Sequence, residues 1–394
     1  MKRIIILFTL FMSIQTMFAQ QFKVTATISG LPEGTVLQLQ PLSHSKIDPA
    51  AEAVLKDGKC TFRGRVTQDV PLCVRFQIKD AFGEKKLVID KNDNIQVNCA
   101  IKQTGESKGK PMYDFLTFDV KGSPLTDKYY LIKKEFEDQN GGIGGFRELM
   151  RKRMPSLESE ITKVRGKGKA AMDSLKRANH DYQVFLYMDS IMFNKVNSHS
   201  ICTMYKYGDS FWGPLMMLDT WWYFTPRERP VYEAFSDEAK NCWYGKMIRE
   251  ELYPGGKPGE KAPDFSIKDE KGLSHSFSSM AKGKKVILVD FWASWCGPCR
   301  KEIPNVKKQY ELYKDKGFEV VSISMDKDEK AWKKALDEEQ LPWPNFLDRE
   351  GVSDLYHVKS IPAMYLLKPD GTIIAEGMDA RGEALSKRLS SMLK

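Results

Sequence analysis

The chain has 394 residues, of which 42% are hydrophobic, enough for two or three folded domains of about 150 residues each. Its 61 basic and 52 acidic residues give a formal net charge of +9, which is too diluted over this length to indicate nucleic-acid binding. Seven cysteines are too few for a fold built on disulfides, and their spacing is not that of a repeated metal-binding module.

Residues 1–19 have the pattern of a secretory signal peptide. Lys2 and Arg3 precede an apolar stretch that is too short for a comfortable membrane span, and cleavage is expected after Ala19. The alternatives are an uncleaved N-terminal anchor or a buried first helix. No later stretch is long and apolar enough to cross a bilayer, so we expect a soluble protein in an oxidising compartment.

Residues 22–120 alternate between apolar and polar positions in short runs separated by Gly, Asp and Asn turns. This pattern predicts an antiparallel β domain, a sandwich or a small barrel, in which no catalytic constellation is visible. Cys60, Cys73 and Cys99 lie within or beside the predicted strands and are interpreted as buried thiols. A disulfide between Cys60 and Cys73 is the alternative.

Residues 122–252 change to a helical period and are predicted to form a helical region. Its basic stretch at 147–169 is interpreted as a solvated helix face, with a docking patch for an acidic partner as the alternative. The aromatic cluster at 221–224 is interpreted as core or inter-domain packing rather than as a binding platform. Cys202 and Cys242 are interpreted as buried thiols.

Residues 253–259 contain five Gly or Pro and predict a linker to a last domain at 260–394. In that domain, predicted strands at 285–292 and 318–324 alternate with helices at 299–316 and 329–339, and a hairpin and a closing helix follow. The order indicates an α/β sheet. From Glu260 onward 23 basic residues face 22 acidic ones, so the positive surplus lies in the first two regions.

Cys296 and Cys299 lie between the first of these strands and the following helix. A thiol at a helix N-terminus faces unpaired N–H groups and the positive end of the helix dipole, which lower a cysteine pKa from about 8.5 to between about 3.5 and 7.5. We therefore expect Cys296 to attack a partner's disulfide and Cys299 to resolve the mixed disulfide. Half of a zinc site and a structural disulfide are the alternatives, but no second cysteine pair accompanies this one.

The run Val289-Asp290-Phe291-Trp292-Ala293-Ser294-Trp295-Cys296-Gly297-Pro298-Cys299 resembles the active-site signature of the TlpA and ResA-like thioredoxin-fold thiol-disulfide oxidoreductases. The resemblance places Asp290 where thioredoxins keep a buried aspartate, as the acceptor of the proton that Cys299 loses. Glu302 matches the active-site glutamate of the ResA-like branch. The presence of both carboxyl groups departs from that branch and leaves open which of them is the base.

Further residues of the last domain fit the same resemblance. Pro304 falls where thioredoxins kink the active-site helix, and Ile361-Pro362 matches the bond that is cis throughout the fold. The resemblance implies that the backbone of Ile361 pairs with an extended substrate peptide. The expected substrate-binding residues are Trp295, Gly297, Pro298, Ile361 and Pro362.

Two other resemblances bear on function. The segment Gly259-Glu260-Lys261-Ala262-Pro263-Asp264-Phe265 is similar to the opening of peroxiredoxins, but Ala293 stands where those enzymes keep Thr or Ser before the peroxidatic cysteine. The order of β domain, helical region and redox domain resembles large exported oxidoreductases of Bacteroides-type bacteria.

The sequence therefore predicts a periplasmic thiol-disulfide oxidoreductase, anchored if the signal is uncleaved, that needs no bound cofactor or metal. The Gly-Pro pair between the cysteines matches thioredoxin and favours a reductase. The expected partners are cysteine-containing envelope proteins and a membrane electron donor, with no nucleic acid. The alternatives are an envelope interaction protein that uses the thioredoxin fold as a scaffold, and a peroxiredoxin-like thiol peroxidase.

Overall fold

The computed structural model of the chain describes residues 21–136, 147–148, 152 and 154–394, so the expected signal peptide lies outside the described residues. The chain divides into two compact units, with the boundary between Ile248 and Arg249. Among the described residues, no helix is both long enough and apolar enough to span a bilayer.

The first unit begins with eight strands in two four-stranded sheets. One sheet has the order β4-β1-β7-β8 and the other the order β3-β2-β5-β6. The strands are β1 (Gln21–Ser29), β2 (Val36–Pro41), β3 (Ala51–Val54), β4 (Lys59–Arg65), β5 (Leu72–Ile78), β6 (Glu84–Ile89), β7 (Asn94–Ser107) and β8 (Lys110–Lys121). Alternate residues of both sheets enter one hydrophobic core, among them Phe22, Leu37, Phe62 and Phe76. This is the predicted β domain in its sandwich form.

One pairing in this sandwich differs from the predicted antiparallel arrangement. β1 pairs antiparallel with β4 but parallel with β7, with Val24 opposite Ile95 and Ala26 opposite Val97. The alternation of apolar and polar residues determines which face of a strand is buried, but it carries no information on strand direction. The remaining pairs within the two sheets are antiparallel.

Eight helices follow the sandwich among the described residues. They are α1 (Pro124–Phe136), α2 (Pro155–Val164), α3 (Lys169–Ala178), α4 (His180–Lys206), α5 (Trp212–Thr220), α6 (Arg229–Glu233), α7 (Asp237–Asn241) and α8 (Trp243–Leu252). This agrees with the predicted helical region. The basic stretch at 147–169 lies partly outside the described residues; in the part described, Lys163 pairs with Glu160 one helical turn away.

A buried ion cluster joins the helices to the sandwich. The Asp219 carboxylate of α5 accepts hydrogen bonds from Tyr129 Oη at 2.8 Å and Lys133 Nζ at 2.7 Å, both on α1. Lys86 of β6 lies 3.7 Å from its other oxygen. Burial opposes the charge on Asp219, but the two lysines and the tyrosine outweigh it and lower the pKa of Asp219. The ionised cluster therefore fixes α1 and α5 to the edge of the sheet.

The five cysteines of this unit are all free thiols, so the disulfide considered between Cys60 and Cys73 does not form. Cys60, Cys73, Cys99 and Cys242 are buried as predicted, whereas Cys202 is exposed. The prediction for Cys202 was wrong because apolar and polar residues are mixed on most sides of α4. The helix therefore has no single apolar face whose residues are all buried.

The aromatic cluster at 221–224 also differs from its predicted role. Trp222 is 92% exposed and Tyr223 is 73% exposed, so core packing was the wrong interpretation for these two side chains. Trp221 is half-buried and donates its indole N–H to Asn197 at 3.2 Å. Helix α5 ends immediately before this cluster, and the chain then turns, so the aromatic residues have no helical period that would direct them to one face.

The second unit is built on a five-stranded mixed sheet with the order β13-β12-β11-β14-β15. Its strands are β11 (Val286–Trp292), β12 (Phe318–Ser324), β13 (Asn345–Leu347), β14 (Ala363–Leu367) and β15 (Ile373–Glu376), after a small hairpin of β9 (Ser266–Lys268) and β10 (Ser274–Ser276). The helices are α9 (Phe277–Met280), α10 (Gly297–Tyr313), α11 (Glu329–Glu339), α12 (Val352–Leu355) and α13 (Gly382–Met392). The predicted α/β architecture of this region is confirmed.

The centre of this sheet is covered on both faces. Every residue of β11 and β12 is buried, and the two strands run parallel, whereas β11 and β14 run antiparallel. Side chains of alternating direction enter two separate cores, one containing Phe291 and Tyr356 and the other Leu288 and Leu389. A strand buried on both faces needs a nearly continuous apolar run, which is why polar residues in it stand out.

Residues 253–259, predicted as a linker, lie within the second unit. Tyr253 is buried, and Tyr365 Oη donates a hydrogen bond to the carbonyl of Pro254. Gly255 has φ +77°, and a Cβ there would come within 3.0 Å of Tyr356 and Tyr365. The Gly and Pro residues therefore permit close packing of the chain against two aromatic rings rather than flexibility.

Candidate active site

Cys296 and Cys299 are joined by a disulfide with an S–S distance of 2.01 Å. β11 ends at Trp292, and α10 begins at Gly297 with Cys296 as its N-cap residue. The Sγ of Cys296 accepts the backbone N–H of Cys299 at 3.2 Å, which satisfies one of the free donors of the first helical turn. The sulfur of Cys296 therefore occupies the position where a negative charge is favoured by the helix terminus.

Both cysteines are buried, at 4% and 2% exposure, in a cluster that surrounds the disulfide. The cluster contains Trp292, Ala293, Cys296, Cys299, Ile303, Trp332, Ala335 and Leu347. Ile361 packs against it from the segment before β14, and the Ile361–Pro362 bond is cis. The fold thus brings residues that are more than 60 positions apart in the sequence next to the two sulfurs.

The other residues expected to bind substrate lie around this cluster. Trp295 is 70% exposed, Gly297 and Pro298 are exposed at the start of α10, and Pro362 is half-buried. Next to Pro298 is an open cleft of about 500 Å³, lined by Pro298, Lys301, Glu302, Met378, Arg381, Gly382, Glu383 and Ala384. The exposed ring of Trp295 and this cleft both lie beside the buried disulfide. Together they can contact a partner protein's chain on both sides of the partner's reacting cysteine.

Asp290 lies in the middle of β11 and is 4% exposed. Burial raises the pKa of its carboxyl to about 7, with a smaller contribution from the negative charge of Glu302, while a hydrogen bond from Ser322 acts in the opposite direction. Ser322 Oγ donates to Oδ2 of Asp290 at 3.2 Å, and Oδ1 has no hydrogen-bond partner among the described residues. A carboxyl group with these properties can accept and release a proton near neutral pH.

Glu302 lies one turn after Cys299, and its hydrogen bonds connect two helices. Its Oε1 accepts the backbone N–H of Gly382, the first residue of α13, at 2.7 Å and the amide of Asn305 at 2.7 Å. A carboxylate at that position satisfies a free donor and interacts favourably with the helix dipole. Glu302 therefore holds the start of α13 beside α10, in addition to raising the pKa of Asp290.

The loop before Cys296 is fixed by a residue that the sequence analysis did not identify. Asp326, which follows β12, accepts hydrogen bonds from Ser294 N–H at 2.8 Å, Ser294 Oγ at 2.6 Å and Ser324 Oγ at 2.7 Å. The carboxylate is buried, so its charge is compensated by these donors. This arrangement holds the turn from β11 to Cys296 against the end of β12.

Two more contacts fix α10. Arg300 donates from Nε to Glu339 at 2.6 Å and from a terminal nitrogen to Glu338 at 2.8 Å, which joins the first turn of α10 to the end of α11. Pro304 lies inside α10, as expected from the sequence. These contacts hold the disulfide between two helices and the central sheet.

Comparisons with known proteins place this site in a family. Residues 258–376 match the model of the AhpC/TSA family, and residues 22–129 match a domain of unknown function, DUF4369. The thiol-disulfide oxidoreductase ResA of Oceanobacillus iheyensis is 40% identical over 119 residues, which are 29% of this chain and 62% of the relative. The chain thus spans less than two thirds of that relative's length.

Other relatives are covered more completely. ResA of Bacillus thuringiensis is 34% identical over 137 residues, which are 34% of this chain and 76% of the relative. A crystal structure of the thioredoxin domain of a thiol-disulfide oxidoreductase from Bacteroides vulgatus is 35% identical, with a TM-score of 0.32, and the match covers 35% of this chain and 98% of that one. Through its second unit, the chain belongs to the ResA-like thiol-disulfide oxidoreductases of the thioredoxin fold.

Proposed function

We propose that this protein is an exported, periplasmic reductase of disulfides in partner proteins, with Cys296 as the nucleophile and Cys299 as the resolving residue. The observation that carries the proposal is the Cys296–Cys299 disulfide at the start of α10, where Cys296 Sγ accepts the N–H of Cys299 at 3.2 Å. The same N–H and the helix dipole stabilise a thiolate on Cys296 after reduction.

The reaction has two exchange steps. In the first, the Cys296 thiolate attacks one sulfur of the partner's disulfide, and the partner's other sulfur leaves as a thiolate. In the second, Cys299 loses its proton to Asp290 and attacks Cys296, so that the partner leaves with its second sulfur reduced. Two electrons of the dithiol have then passed to the partner, and the disulfide seen in the structure is the oxidised product.

Each further cycle needs a reductant. No bound cofactor is involved in the exchange, so a membrane electron donor is proposed to reduce Cys296–Cys299 again. The Gly297-Pro298 pair matches thioredoxin, whose potential is about −270 mV, rather than an oxidant such as DsbA at about −120 mV. A measured potential near the DsbA value would contradict the proposed direction of electron flow.

Trapping of mixed disulfides tests the function directly. Cys299→Ser leaves Cys296 able to attack but removes the resolving thiol, so partners with exported cysteines should remain covalently bound and be recovered from cells. Cys296→Ser is the matched control and should trap nothing. Since Cys202 is an exposed thiol, the trapping variant should also carry Cys202→Ser. Equal recovery with Cys299→Ser and Cys296→Ser would contradict a protein-directed reductase.

Two alternatives are separated by simple assays. An envelope interaction protein with a redox-inactive scaffold would show no insulin reduction in either the wild-type protein or Cys296→Ser. A thiol peroxidase would consume hydrogen peroxide, but Ala293 supplies no hydroxyl where peroxiredoxins keep one, so no such activity is expected. Sequencing of the mature N-terminus and cell fractionation would test export and cleavage after Ala19.

A further inference from the structure

The buried Asp290 carboxyl is connected to a side chain distant from the cysteines. Trp343 Nε1 lies 2.9 Å from Ser322 Oγ, and Ser322 Oγ lies 3.2 Å from Asp290 Oδ2. All three residues are buried, with exposures of 5%, 0% and 4%. Ser322 reaches Asp290 because the two residues are directly opposite each other in the parallel pairing of β11 and β12.

The direction of these hydrogen bonds follows from the chemistry of the groups. An indole N–H can only donate, so Ser322 Oγ accepts from Trp343. A hydroxyl has a single hydrogen, and the described acceptor within its reach is Oδ2 of Asp290. Ser322 is therefore a donor to Asp290.

We propose that Ser322 and Trp343 are positioning residues that keep Oδ2 of Asp290 hydrogen-bonded in both protonation states, so that Oδ1 is the oxygen that accepts and returns the proton of the exchange reaction. This inference rests on the function proposed above, in which Asp290 receives the proton of Cys299. A proton on Oδ2 would have to be donated to Ser322, whose own hydroxyl hydrogen would then lack an acceptor among the described residues. Oδ1 has no such conflict, since it is buried and has no hydrogen-bond partner among the described residues.

Trp343 is itself held in place, which allows it to act on Ser322. The backbone N–H of Ser322 donates to the carbonyl of Pro344 at 3.0 Å, and the Trp343 carbonyl accepts the amide of Asn345 at 2.6 Å. Its ring packs edge-on against Tyr310 of α10, with 5.3 Å between the ring centroids. Trp343 thus links the active-site helix to the hydroxyl that contacts Asp290.

The charged groups around Asp290 define what else can move its titration. On β12 and β14 the residues opposite Asp290 are Ser322 and Met364, neither of which carries a charge. Glu302 of α10 is the charged side chain whose field raises the pKa of Asp290. Reduction of Cys296–Cys299 adds two thiols at the N-terminus of the same helix. Ser322 lowers the pKa of Asp290 and Glu302 raises it. Removing Ser322 should therefore raise this pKa, whereas removing Glu302 should lower it.

The test is the pH dependence of disulfide reduction in the full-length protein. Dithiothreitol reduces Cys296–Cys299 between pH 5 and 9, and acid quenching, alkylation and mass spectrometry give the rate. The inflection that disappears in Asp290→Asn belongs to Asp290. Ser322→Ala should move that inflection upward by about one pH unit, because a hydrogen bond to the carboxylate is lost. Trp343→Phe should move it in the same direction by less, and Ser322→Thr should restore it.

A matched control is available in Trp332. Its indole is buried near the sulfurs, but its N–H has no hydrogen-bond partner among the described residues. Trp332→Phe should leave the inflection at the wild-type pH, even if the rate changes. An equal shift in Trp332→Phe and Trp343→Phe would overturn the proposal, because packing would then explain both. If Ser322→Ala does not fold, Trp343→Phe alone still decides the matter.

Further outcomes separate this proposal from the proposed function. An unchanged inflection in both Ser322→Ala and Trp343→Phe would refute the positioning role, as would a rate profile that Asp290→Asn does not alter. A protein that shows the expected shifts with dithiothreitol but reduces no insulin and traps no partner would refute the reductase function and leave the positioning role intact.

Discussion

Replacement of Asp290 by Asn should change the stability of the second unit in a way that depends on pH, with Asn increasingly favoured over Asp as the pH rises. Burial raises the pKa of this carboxyl from the usual 3.8 to about 7, so in this window the folded protein binds a proton that the unfolded chain releases. The free energy of unfolding therefore falls as the pH rises from about 4 to about 7 and is level above that. Three pKa units correspond to about 4 kcal/mol.

Asn is neutral at every pH and still offers an oxygen to Ser322. At pH 4.5 the wild-type protein has already lost about 1 kcal/mol of its free energy of unfolding through the ionisation of Asp290. Between pH 4.5 and pH 8 the free energy of unfolding of Asp290→Asn should therefore rise by about 3 kcal/mol relative to wild type. Any fixed cost of burying the amide is the same at both values and cancels in this difference.

Hydrogen exchange of peptides from β11 measures this in the full-length protein, since it reports the opening of one unit without requiring two-state unfolding of the whole chain. The ratio of protection factors between Asp290→Asn and wild type should rise about 200-fold from pH 4.5 to pH 8. Asp337→Asn, which removes an exposed carboxylate of α11, is the control and should give a constant ratio. A constant ratio for Asp290→Asn as well would refute the reasoning that a buried charge destabilises β11.

Other side chains give predictions of a similar kind. Glu302→Gln should move the Asp290 inflection downward in the dithiothreitol assay, because a negative charge that raises its pKa is removed, and an upward shift would contradict this. Asp326→Ala should lower the free energy of unfolding by about 2 kcal/mol and slow insulin reduction, since Ser294 in the loop loses two hydrogen bonds and Ser324 at the end of β12 loses one; an unchanged rate would show that the loop holds its position without them. Asp219→Ala should lower the midpoint of thermal unfolding of the first unit, with a cost of about 3 kcal/mol, because Tyr129 and Lys133 lose their hydrogen bonds to the buried carboxylate and Lys86 keeps Glu84 but loses Asp219; a neutral result would mean that water replaces these contacts.

Local patterns predicted the second unit well. The strand at 318–324 and the helix at 329–339 have the predicted bounds, because a run rich in β-branched and aromatic residues and a helical period are properties of neighbouring residues. The start of α10 differs from the prediction by two residues, since Cys296 rather than a Ser or Asp provides the N-cap. The cysteine pair was recognisable because its chemistry depends only on two nearby cysteines at the N-terminus of one helix.

Relationships between distant residues were not accessible. The parallel pairing of β1 with β7 and the register that puts Ser322 opposite Asp290 depend on how strands are ordered in a sheet. One signal was available: Glu319, Ser322 and Ser324 interrupt the apolar residues of this strand, and a polar residue in a fully buried strand needs a partner. That signal would have indicated polar partners for β12, although not which ones.

The burial of four free cysteines has a consequence for a protein that exchanges disulfides. Burial raises the pKa of Cys60 to about 11 and that of Cys99 to about 12, so at pH 7 only about one molecule in ten thousand or fewer carries either thiolate. Burial also raises the pKa of Cys73 and that of Cys242. Because these four thiols stay protonated and buried, they neither attack the Cys296–Cys299 disulfide nor compete for a partner's mixed disulfide. Cys202 is exposed on α4 and lacks this protection by burial. It is therefore the cysteine at which a disulfide between two copies of the protein would form first.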